Sequence, residues 1–381
     1  MRITQLKLKN WRNFKSVDVS LKDRIFIIGP NASGKSNFLD VFRFLRDVAK
    51  PSGGGLQEAV AKRGGMPKLR CLAARQDTEI TIEVTLQNGE EKPWIYTLSY
   101  KAEPRGFRRT LISKEKVRFG KKLLVSRPDE KDKEDDERLT QTYLEQINAN
   151  VEFREIAKYF QSTTYLHIVP QLLKYGDQIG GFTIEDDPFG QGFLDVVAKT
   201  VKKTRDARLK KIAQALQKTV PQLKELKFDR DNATGRPHLE ARCDHWRLKA
   251  GWQREDLFSD GTLRLIGFLW SLLEGNSLLL LEEPELSLHE EIVRNIPYMI
   301  YGIHKQRKTR RQILISTHSE ALLSGKSIDG HEVLRLKPSP EGTTIIGLSY
   351  EEEIMLKSGL SPAEVLMPET KPPDLTQLEL F

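Results

Sequence analysis

The sequence predicts an α/β fold built around a phosphate-binding loop, and this prediction rests on three groups of segments. Residues 25–28 form a continuous apolar run, residues 29–36 read GPNASGKS, and residues 35–49 carry apolar side chains at helical spacing. Further along, residues 277–281 and 312–316 are two more short apolar runs, separated by a helical pattern. Short buried strands that alternate with helices are typical of an α/β core.

The loop GPNASGKS has the residue types that phosphate binding needs, at the spacing it needs. Gly29 and Gly34 let the backbone wrap a phosphate, so that successive N–H groups point at it. Lys35 then reaches the outer phosphates, and the Ser36 hydroxyl meets Mg²⁺. Because a strand precedes the loop and a helix follows it, we expect the chain to bind ATP and Mg²⁺.

Residues 278–285 (LLLLEEPE) form a strand that ends in carboxylates. In P-loop enzymes a carboxylate at this place coordinates the metal, and the next residue orients the attacking water. Glu282 therefore takes the metal role and Glu283 the catalytic role of general base. Read alone, the segment is equally a strand followed by an acidic helix cap. Together with the loop, it predicts hydrolysis of ATP.

The rest of the chain predicts an antiparallel β subdomain and a helical lobe. We divide the sequence into an N-terminal ATPase lobe with that β subdomain (1–180), a helical lobe (181–250), the remaining ATPase core (251–366) and a flexible tail (367–381). Residues 127–138 contain no apolar residue except one proline, so they are predicted to be a mobile surface loop with no part in a core.

Composition and charge narrow the class of protein. The chain has 381 residues, 38% apolar and 30% charged, which is enough to bury a substantial core. It lacks both a membrane-length apolar run and the apolar centre of a secretory signal, so we expect a cytoplasmic protein without membrane association. Its two cysteines predict neither a disulfide framework nor a metal site. A net charge of +8 suits a polyanionic partner without identifying one.

Five motifs carry a resemblance to a known family: LKNWRNF (8–14), GPNASGKSN (29–37), FSDGTLRLI (258–266), LLLLEEPELSLH (278–289) and ILISTHS (313–319). In order and spacing they resemble the ABC ATPase heads of the RecF, SMC and OLD (overcoming-lysogenization-defect) group. The likeness covers nearly the whole chain apart from the tail. It implies a P-loop NTPase of ABC-ATPase type, a stand-alone ATPase of the kind found in bacterial antiphage and DNA-repair systems.

The resemblance also implies roles for single residues. Ser259 and Gly261 resemble the signature motif, which binds the γ-phosphate of ATP held by a second protomer, so that two heads close over two ATP molecules. His318 resembles the catalytic switch histidine that senses the γ-phosphate. Arg12 resembles a nucleotide-contacting arginine, with a solvated loop arginine as the alternative. The ATP contacts implied in this way are Arg12, Gly29, Asn31, Gly34, Lys35, Ser36 and Asn37.

Two features of the metal site depart from the family pattern. Glu282 stands where the family usually has aspartate, which leaves open whether it contacts Mg²⁺ directly or through water. The glutamine that serves as a third metal ligand beside Ser36 and Glu282 is assigned to Gln171, and Gln161 is the alternative.

The family resemblance implies a nucleotide-driven dimeric clamp or sensor that acts on DNA or in antiphage defence. SDGTLR in place of the transporter-type LSGGQ argues against transport, and the absence of sustained heptads excludes a long-armed SMC protein. OLD proteins continue into a Toprim nuclease domain. About fifty residues between His318 and the tail are too few for such a domain, so we expect any cleavage to come from a separate effector.

Three basic segments support a DNA partner: residues 105–122, 199–211 and 305–311. Each alone can equally be a solvated surface. The alternative function is an ATP-dependent scaffold that holds and releases a separate nuclease or toxin without binding DNA itself.

The last five residues, QLELF, resemble the peptide by which bacterial proteins dock on the replication sliding clamp. Gln377 would hydrogen-bond at the edge of the clamp pocket, while Leu378, Leu380 and Phe381 enter it. A polar, proline-rich leader precedes this peptide. The alternative is that these side chains fold back onto the core or dock on an effector.

Overall fold

The structure is a computed structural model in which residues 1–104, 109–179, 187–244, 251–306, 310–325 and 327–368 are described. The strands within these ranges are β1 (Arg2–Trp11), β2 (Phe14–Ser20), β3 (Arg24–Ile28), β4 (Ile80–Gln87), β5 (Trp94–Ala102), β6 (Thr110–Phe119), β7 (Lys122–Arg127), β8 (Thr164–Leu166), β9 (Leu223–Arg230), β10 (Pro237–Cys243), β11 (Gln253–Arg254), β12 (Leu279–Glu282), β13 (Ile313–Ser316), β14 (Val333–Ser339) and β15 (Gly342–Ile346).

The helices within the same ranges are α1 (Lys35–Ala49), α2 (Leu56–Ala61), α3 (Met66–Leu69), α4 (Glu130–Glu134), α5 (Arg154–Gln161), α6 (Pro170–Ile179), α7 (Phe193–Lys199), α8 (Lys202–Leu216), α9 (Asp260–Leu273), α10 (Glu290–Gln306), α11 (Glu320–Leu323), α12 (Tyr350–Lys357) and α13 (Pro362–Leu366). Among these described helices, none has the length and apolar character that crossing a membrane requires.

The described strands form three sheets. The first is antiparallel, with the order β2-β1-β4-β5-β6-β7, and it is the predicted β subdomain. The second has the order β15-β14-β3-β13-β12-β8 and is parallel except for its edge pair β14–β15. The third is a small antiparallel sheet of β11, β10 and β9. This combination confirms the predicted α/β class with an antiparallel subdomain.

The parallel sheet, with β3 at its centre, separates two hydrophobic cores. Ile25 and Ile27 of β3 pack with α1 and the antiparallel sheet. Phe26 and Ile28 face the other way and pack with α9 and α10. Both faces of β3 are therefore buried, which explains its continuous apolar sequence. The neighbours of β3 are β13 and β14, which lie near the other end of the chain.

Residues 127–138, predicted to be a surface loop, instead contribute to a buried ion network. The side chains of Arg127 and Asp132 are 0% exposed, and their Nη2 and Oδ1 atoms are 2.8 Å apart. Nη1 of Arg127 also lies 3.0 Å from Oε2 of the buried Glu115. The prediction was wrong because it took the lack of apolar residues to exclude burial, whereas charges can be buried when they are paired and hydrogen-bonded.

The segment predicted as a helical lobe is only partly helical. Among its described residues, 187–244, helices α7 and α8 come first, as predicted, and strands β9 and β10 follow. In β9 the buried residues Leu223 and Leu226 are three positions apart, so the strand lacks the period-two alternation by which strands are identified. Met367, predicted to begin the tail, is buried in the core. The predicted clamp peptide, residues 377–381, lies outside the described residues.

Candidate functional site

The carboxyl ends of three neighbouring parallel strands meet at one edge of the central sheet. β3 leads into the loop of residues 29–34, β12 ends at Glu282, and β13 ends at Ser316, two residues before His318. Glu282 pairs with Ser316, and Ser316 pairs with Ile27. The loop, the acidic residues and the histidine are therefore neighbours. This edge is where open α/β sheets bind their ligands.

Two positions in the loop require glycine because other groups approach them closely. Gly34 has φ +98°, and a Cβ there would lie 2.1 Å from Nδ2 of Asn13. That amide donates hydrogen bonds to the carbonyl of Ser33 at 2.8 Å and to Oγ1 of Thr343 at 2.7 Å. A Cβ at Gly29 would lie 2.8 Å from the carbonyl oxygen of Leu336. Asn13, which the sequence interpretation did not single out, thus fixes the shape of the loop.

Lys35 begins α1 and turns its ammonium group back toward the loop. Its Nζ donates to the carbonyl oxygens of Gly29 and Pro30, both at 3.0 Å, and the residue is 7% exposed. Burial lowers the pKa of Lys35, and the carboxylates of Glu283 and Glu282 act against that shift. An ammonium group held by neutral carbonyls gains from an anionic partner. Lys35 therefore fits a phosphate group bound in the loop.

Ser36 and Glu282 form the predicted metal-binding pair. The Ser36 hydroxyl donates a hydrogen bond to one carboxylate oxygen of Glu282, and the Tyr165 hydroxyl donates to the other. Burial raises the pKa of Tyr165, and the charge of Glu282 raises it further. A hydroxyl and a carboxylate are the hard oxygen ligands that Mg²⁺ uses beside substrate phosphates. These residues therefore fit a magnesium ion bound with a nucleotide.

Tyr165 is a site residue that the sequence interpretation missed. It lies in β8, which pairs in parallel with β12 and so carries its side chain to the same sheet edge. Its ring also packs against Arg43, whose guanidinium carbon is 4.1 Å from the ring centroid. β8 has only three residues, too short for a periodic pattern, so the available signal was the apolar context of TYLHIVP.

Glu283 and His318 form a second pair at this edge. Oε1 of Glu283 is 3.1 Å from Nε2 of His318. The backbone of Glu283 has φ +44°, a left-handed conformation that costs about 1–3 kcal/mol outside glycine and is typical of functional sites. Burial lowers the pKa of His318, the Lys35 charge lowers it further, and Glu283 opposes both effects. The lowered pKa favours a neutral imidazole beside the Glu283 carboxylate.

Glu285 binds the backbone of His318 and is another site residue that the sequence interpretation missed. Its Oε1 accepts hydrogen bonds from Oγ1 of Thr317 at 2.5 Å and from the backbone N–H of His318 at 3.2 Å. Burial raises the pKa of Glu285, and the two hydrogen bonds act in the opposite direction. The sequence signal was the third carboxylate of EEPE, two residues beyond Glu283.

The predicted signature residues lie at the start of α9. Ser259 is exposed and caps the helix, with its Oγ accepting from the backbone N–H of Thr262 at 3.2 Å. Gly261 packs so closely against the loop after β12 that a Cβ there would lie 2.8 Å from the carbonyl oxygen of Ser287. Both residues therefore contact their own chain here, and their action on the nucleotide of a second protomer stays a prediction.

The two candidate glutamines occupy different places. Nε2 of Gln171, in α6, donates to Oδ2 of Asp260 at 2.7 Å, beside Lys174, whose Nζ is 3.0 Å from Oδ1. Gln171 thus contacts the first residue of α9, and its role as a metal ligand stays a prediction. Gln161 donates to the carbonyl of Ala49 at 2.6 Å. Because that carbonyl ends α1, it lies about 20 Å from the helix start, which disfavours Gln161 as a partner of Ser36.

The remaining predicted ATP contacts lie around the turn between β1 and β2. Nη2 of Arg12 is 2.7 Å from Oδ2 of Asp40, and Nδ2 of Asn37 donates to Oδ1 of Asn13 at 2.8 Å. Arg12, Asn13 and Asn37 line a cleft of about 610 Å³ beside the start of α1. Asn31 is exposed in the loop itself. Arg12 is therefore not a purely solvated residue, although its contact to a nucleotide stays a prediction.

Sequence comparison finds one family over most of the chain and two relatives over short stretches. Residues 24–324 match the family described as "AAA domain, putative AbiEii toxin, Type IV TA system". The DNA replication and repair protein RecF of Roseiflexus castenholzii (strain DSM 13941 / HLO8) is 31% identical over 100 residues, 24% of this chain and 25% of that protein. Endonuclease GajA of Bacillus cereus (strain VD045) is 43% identical over 47 residues, 12% of this chain and 8% of that protein. The chain thus aligns with a quarter or less of either relative.

Solved structures resemble the chain over nearly its full length. A crystal structure of an Smc head bound to the C-winged helix domain of ScpA has a TM-score of 0.58 at 15% identity and covers 92% of this chain and 99% of that one. The Smc head with an extended coiled coil, bound to the C-terminal domain of ScpA derived from Pyrococcus furiosus, has a TM-score of 0.54 at 13% identity and covers 93% and 98%. These similarities confirm the predicted fold, that of an SMC-type ATPase head.

Proposed function

This chain belongs to the family described as "AAA domain, putative AbiEii toxin, Type IV TA system" and is a RecF/SMC-like ABC ATPase head, and from that premise we propose that it hydrolyses ATP with Mg²⁺ as a nucleotide-driven dimer acting on DNA. The arrangement at the sheet edge carries this proposal. Lys35 and Ser36 at the start of α1 face the carboxylates at the end of β12, and Glu283 pairs with His318.

Each residue of the site has a distinct part in the proposed reaction. Lys35 offsets the negative charge on the outer phosphates, and Ser36 with Glu282 would hold Mg²⁺, which supplies charge stabilisation to the phosphates. Glu283 accepts a proton from the attacking water on its carboxylate. His318, whose Nε2 lies 3.1 Å from Oε1 of Glu283, would keep that carboxylate oriented and would sense the γ-phosphate.

The proposed chemistry is tested by Glu283→Gln and Lys35→Ala. We expect Glu283→Gln to bind ATP but to hydrolyse it at least about a hundredfold more slowly, because an amide cannot accept the proton. Lys35→Ala should lose ATP binding itself. The two measurements are the binding of a fluorescent ATP analogue and the release of phosphate.

The control is Glu155→Gln, a change of the same kind at an exposed position of α5. It should leave both measurements at the wild-type level. Wild-type turnover by Glu283→Gln would overturn the assignment of the base.

A cleft beside Arg12 supports the proposed DNA partner. It has a volume of about 750 Å³, and it is lined by the side chains of Arg12, Arg43, Arg46, Lys62, Arg63 and Lys68 together with those of Asp40 and Asp47. Asp40 already pairs with Arg12 at 2.7 Å and with Arg63 at 2.9 Å. Basic residues nonetheless outnumber acidic ones, and such an excess of positive charge in a cleft attracts a phosphate backbone.

Of the three basic segments that the sequence suggested, residues 105–108 and 307–309 lie outside the described residues. The segment of residues 199–211 lies mainly on α8, where Lys202 and Lys203 are exposed. This exposed pair supplies a matched comparison with Lys62 and Lys68 of the cleft.

DNA binding is tested by titration of duplex and single-stranded DNA at several salt concentrations, with and without ATP. Lys62→Glu with Lys68→Glu should weaken binding and flatten its salt dependence, because fewer counterions are then released. Lys202→Glu with Lys203→Glu makes the same charge change on α8 and should have a smaller effect. Absence of DNA binding by wild type at any salt, with ATPase activity intact, would favour the scaffold function with a separate effector.

A further inference from the structure

Arg264 is a buried arginine in α9, the helix that begins with the predicted signature residues. It lies in α9 five residues after Ser259 and is 6% exposed. Within the described part of the chain, its Nε and Nη1 atoms are buried and make no hydrogen bond. A buried guanidinium without a full set of partners is costly for a folded protein. This cost is understandable if the group finds a partner in another state of the molecule.

In the loop after β12, a carboxylate oxygen is also buried without a hydrogen-bond partner in the described residues. Oε2 of Glu285 is buried and has no hydrogen-bond partner in the described residues, while Oε1 of the same carboxylate holds Thr317 and His318. Burial lowers the pKa of Arg264, and the carboxylates of Asp260, Glu285 and Glu283 act in the opposite direction. Opposite charges, each incompletely paired, are thus buried near each other.

The packing of α9 links these two groups mechanically. Gly261 lies against the carbonyl of Ser287, where a Cβ would come within 2.8 Å. Residues three apart in a helix share a face, so Gly261 and Arg264 both belong to the face of α9 that meets residues 283–287. A small shift or rotation of α9 would therefore change the distance between Arg264 and Glu285.

We propose that Arg264 is a positioning residue for hydrolysis, which pairs with Oε2 of Glu285 when nucleotide draws two heads together and thereby fixes Glu283 and His318. The proposal rests on the proposed function, because Ser259, at the start of α9, would contact the nucleotide of the second protomer. Glu285 would transmit the shift, since it binds the backbone of His318 directly. The γ-phosphate in one site would in this way prepare the catalytic pair of the other site.

The first test compares Arg264→Met and Arg264→Lys with wild type. Arg264→Met keeps the side-chain length without the charge, and it should lower kcat roughly tenfold to a hundredfold by loosening the catalytic pair, with the KM for ATP unchanged. Its Tm should equal or exceed that of wild type, because an incompletely paired buried charge is removed. Arg264→Lys should recover part of kcat. Arg230→Met, at an exposed position of β9, is the matched control and should change neither value.

The second test is a double-mutant cycle with Glu285→Gln. If Arg264 acts through Glu285, the double variant should be no slower than the slower single variant, because each change removes the same interaction. Additive losses of kcat would overturn the proposal. Wild-type kcat in Arg264→Met, a fall in its Tm matching the loss of activity, or a raised KM for ATP would do so as well.

The outcome can be separated from a failure of the proposed function. If Glu283→Gln abolishes hydrolysis and Arg264→Met does not reduce it, the ATPase assignment holds and only the role of Arg264 is lost. If Glu283→Gln hydrolyses ATP at the wild-type rate, the site itself has been misassigned, and Arg264 loses its proposed role with it.

Discussion

At the scale of single residues, the site depends on contacts that join distant parts of the chain. Tyr165 and Ser36 hold the two oxygens of Glu282, and Asn13 holds the phosphate loop through the carbonyl of Ser33. None of these three side chains belongs to the strand that carries Glu282. Groups around a metal ligand orient it and tune its affinity, so Tyr165 should matter for magnesium although it is not itself a predicted ligand.

Tyr165→Phe tests this expectation. Without the hydroxyl, one oxygen of Glu282 loses its donor, and the magnesium concentration for half-maximal ATP hydrolysis should rise about tenfold, as is usual for outer partners of metal ligands. The control is Tyr159→Phe, another buried tyrosine, whose hydroxyl lies 3.3 Å from Oε1 of Gln312 and away from Glu282. An unchanged magnesium dependence in Tyr165→Phe would remove Tyr165 from the site.

The sequence could indicate the residues whose chemistry depends on local spacing and could not indicate those that depend on folding. Lys35 and Ser36 follow from the loop pattern, and Glu282 and Glu283 follow from the end of an apolar strand. Tyr165 reaches Glu282 across 117 positions, and no local pattern records such a contact. Tyr165 could therefore be recognised as a partner of Glu282 only once β8 was seen to pair with β12.

At the scale of elements, the segment from β6 to α4 shows why charge patterns are a weak guide to burial. Arg127, at the end of β7, makes ion pairs with Glu115 of β6 and with Asp132 of α4. Periodicity predicted the strands of the antiparallel sheet because their apolar residues alternate. Periodicity could not predict α4, because an ion pair rather than apolar packing holds that helix in place. A run of charged residues has the same sequence pattern whether its charges are paired or solvated.

Asp132→Asn should lower the free energy of unfolding by about 3 kcal/mol, because breaking a buried pair leaves Arg127 short of a counter-charge. Burial by itself would raise the pKa of Asp132, but the pairing with Arg127 outweighs it and holds the pKa at about 2, below its ordinary value of 3.8. Its contribution is therefore complete above pH 3.8 and is lost as pH falls through about 2.

Urea unfolding of wild type and Asp132→Asn at pH 5 and pH 3 measures both effects. The difference between the two proteins should be smaller at pH 3. Asp206→Asn, at an exposed position of α8, serves as the control and should match wild type at both pH values. An equal difference at the two pH values would mean that the carboxylate of Asp132 is not the stabilising group.

At the scale of the whole molecule, the proposed function requires two protomers to complete each site. Ser259 is exposed at the start of α9, while the phosphate loop lies at the edge of the central sheet. The family resemblance implies that Ser259 of one protomer reaches the nucleotide of the other. Both the motif and its position in the fold were predictable from sequence, because the five motifs keep their order. The way in which two heads would close on each other was not predictable, because it depends on the surface of a second protomer.

Mixing two inactive variants tests the arrangement. Ser259→Arg should bind ATP without hydrolysing it, and Lys35→Ala should not bind ATP. Their heterodimer has one potentially complete site, made of the loop of the first and the signature of the second, and it should recover part of the activity. Ser358→Arg, an exposed control in the turn after α12, should behave as wild type. Full activity of Ser259→Arg alone would refute the shared site.

The central position of β3 has a consequence for how the protein is made. Its two neighbours in the sheet are β13 and β14, which come from the last part of the chain. A ribosome therefore releases the phosphate loop well before it supplies the strands that flank β3. Contacts between such distant segments form slowly and leave apolar strands exposed in the meantime. Until β13 and β14 have been synthesised, the nascent chain thus carries its ATP-binding motif without the sheet that makes the motif a site.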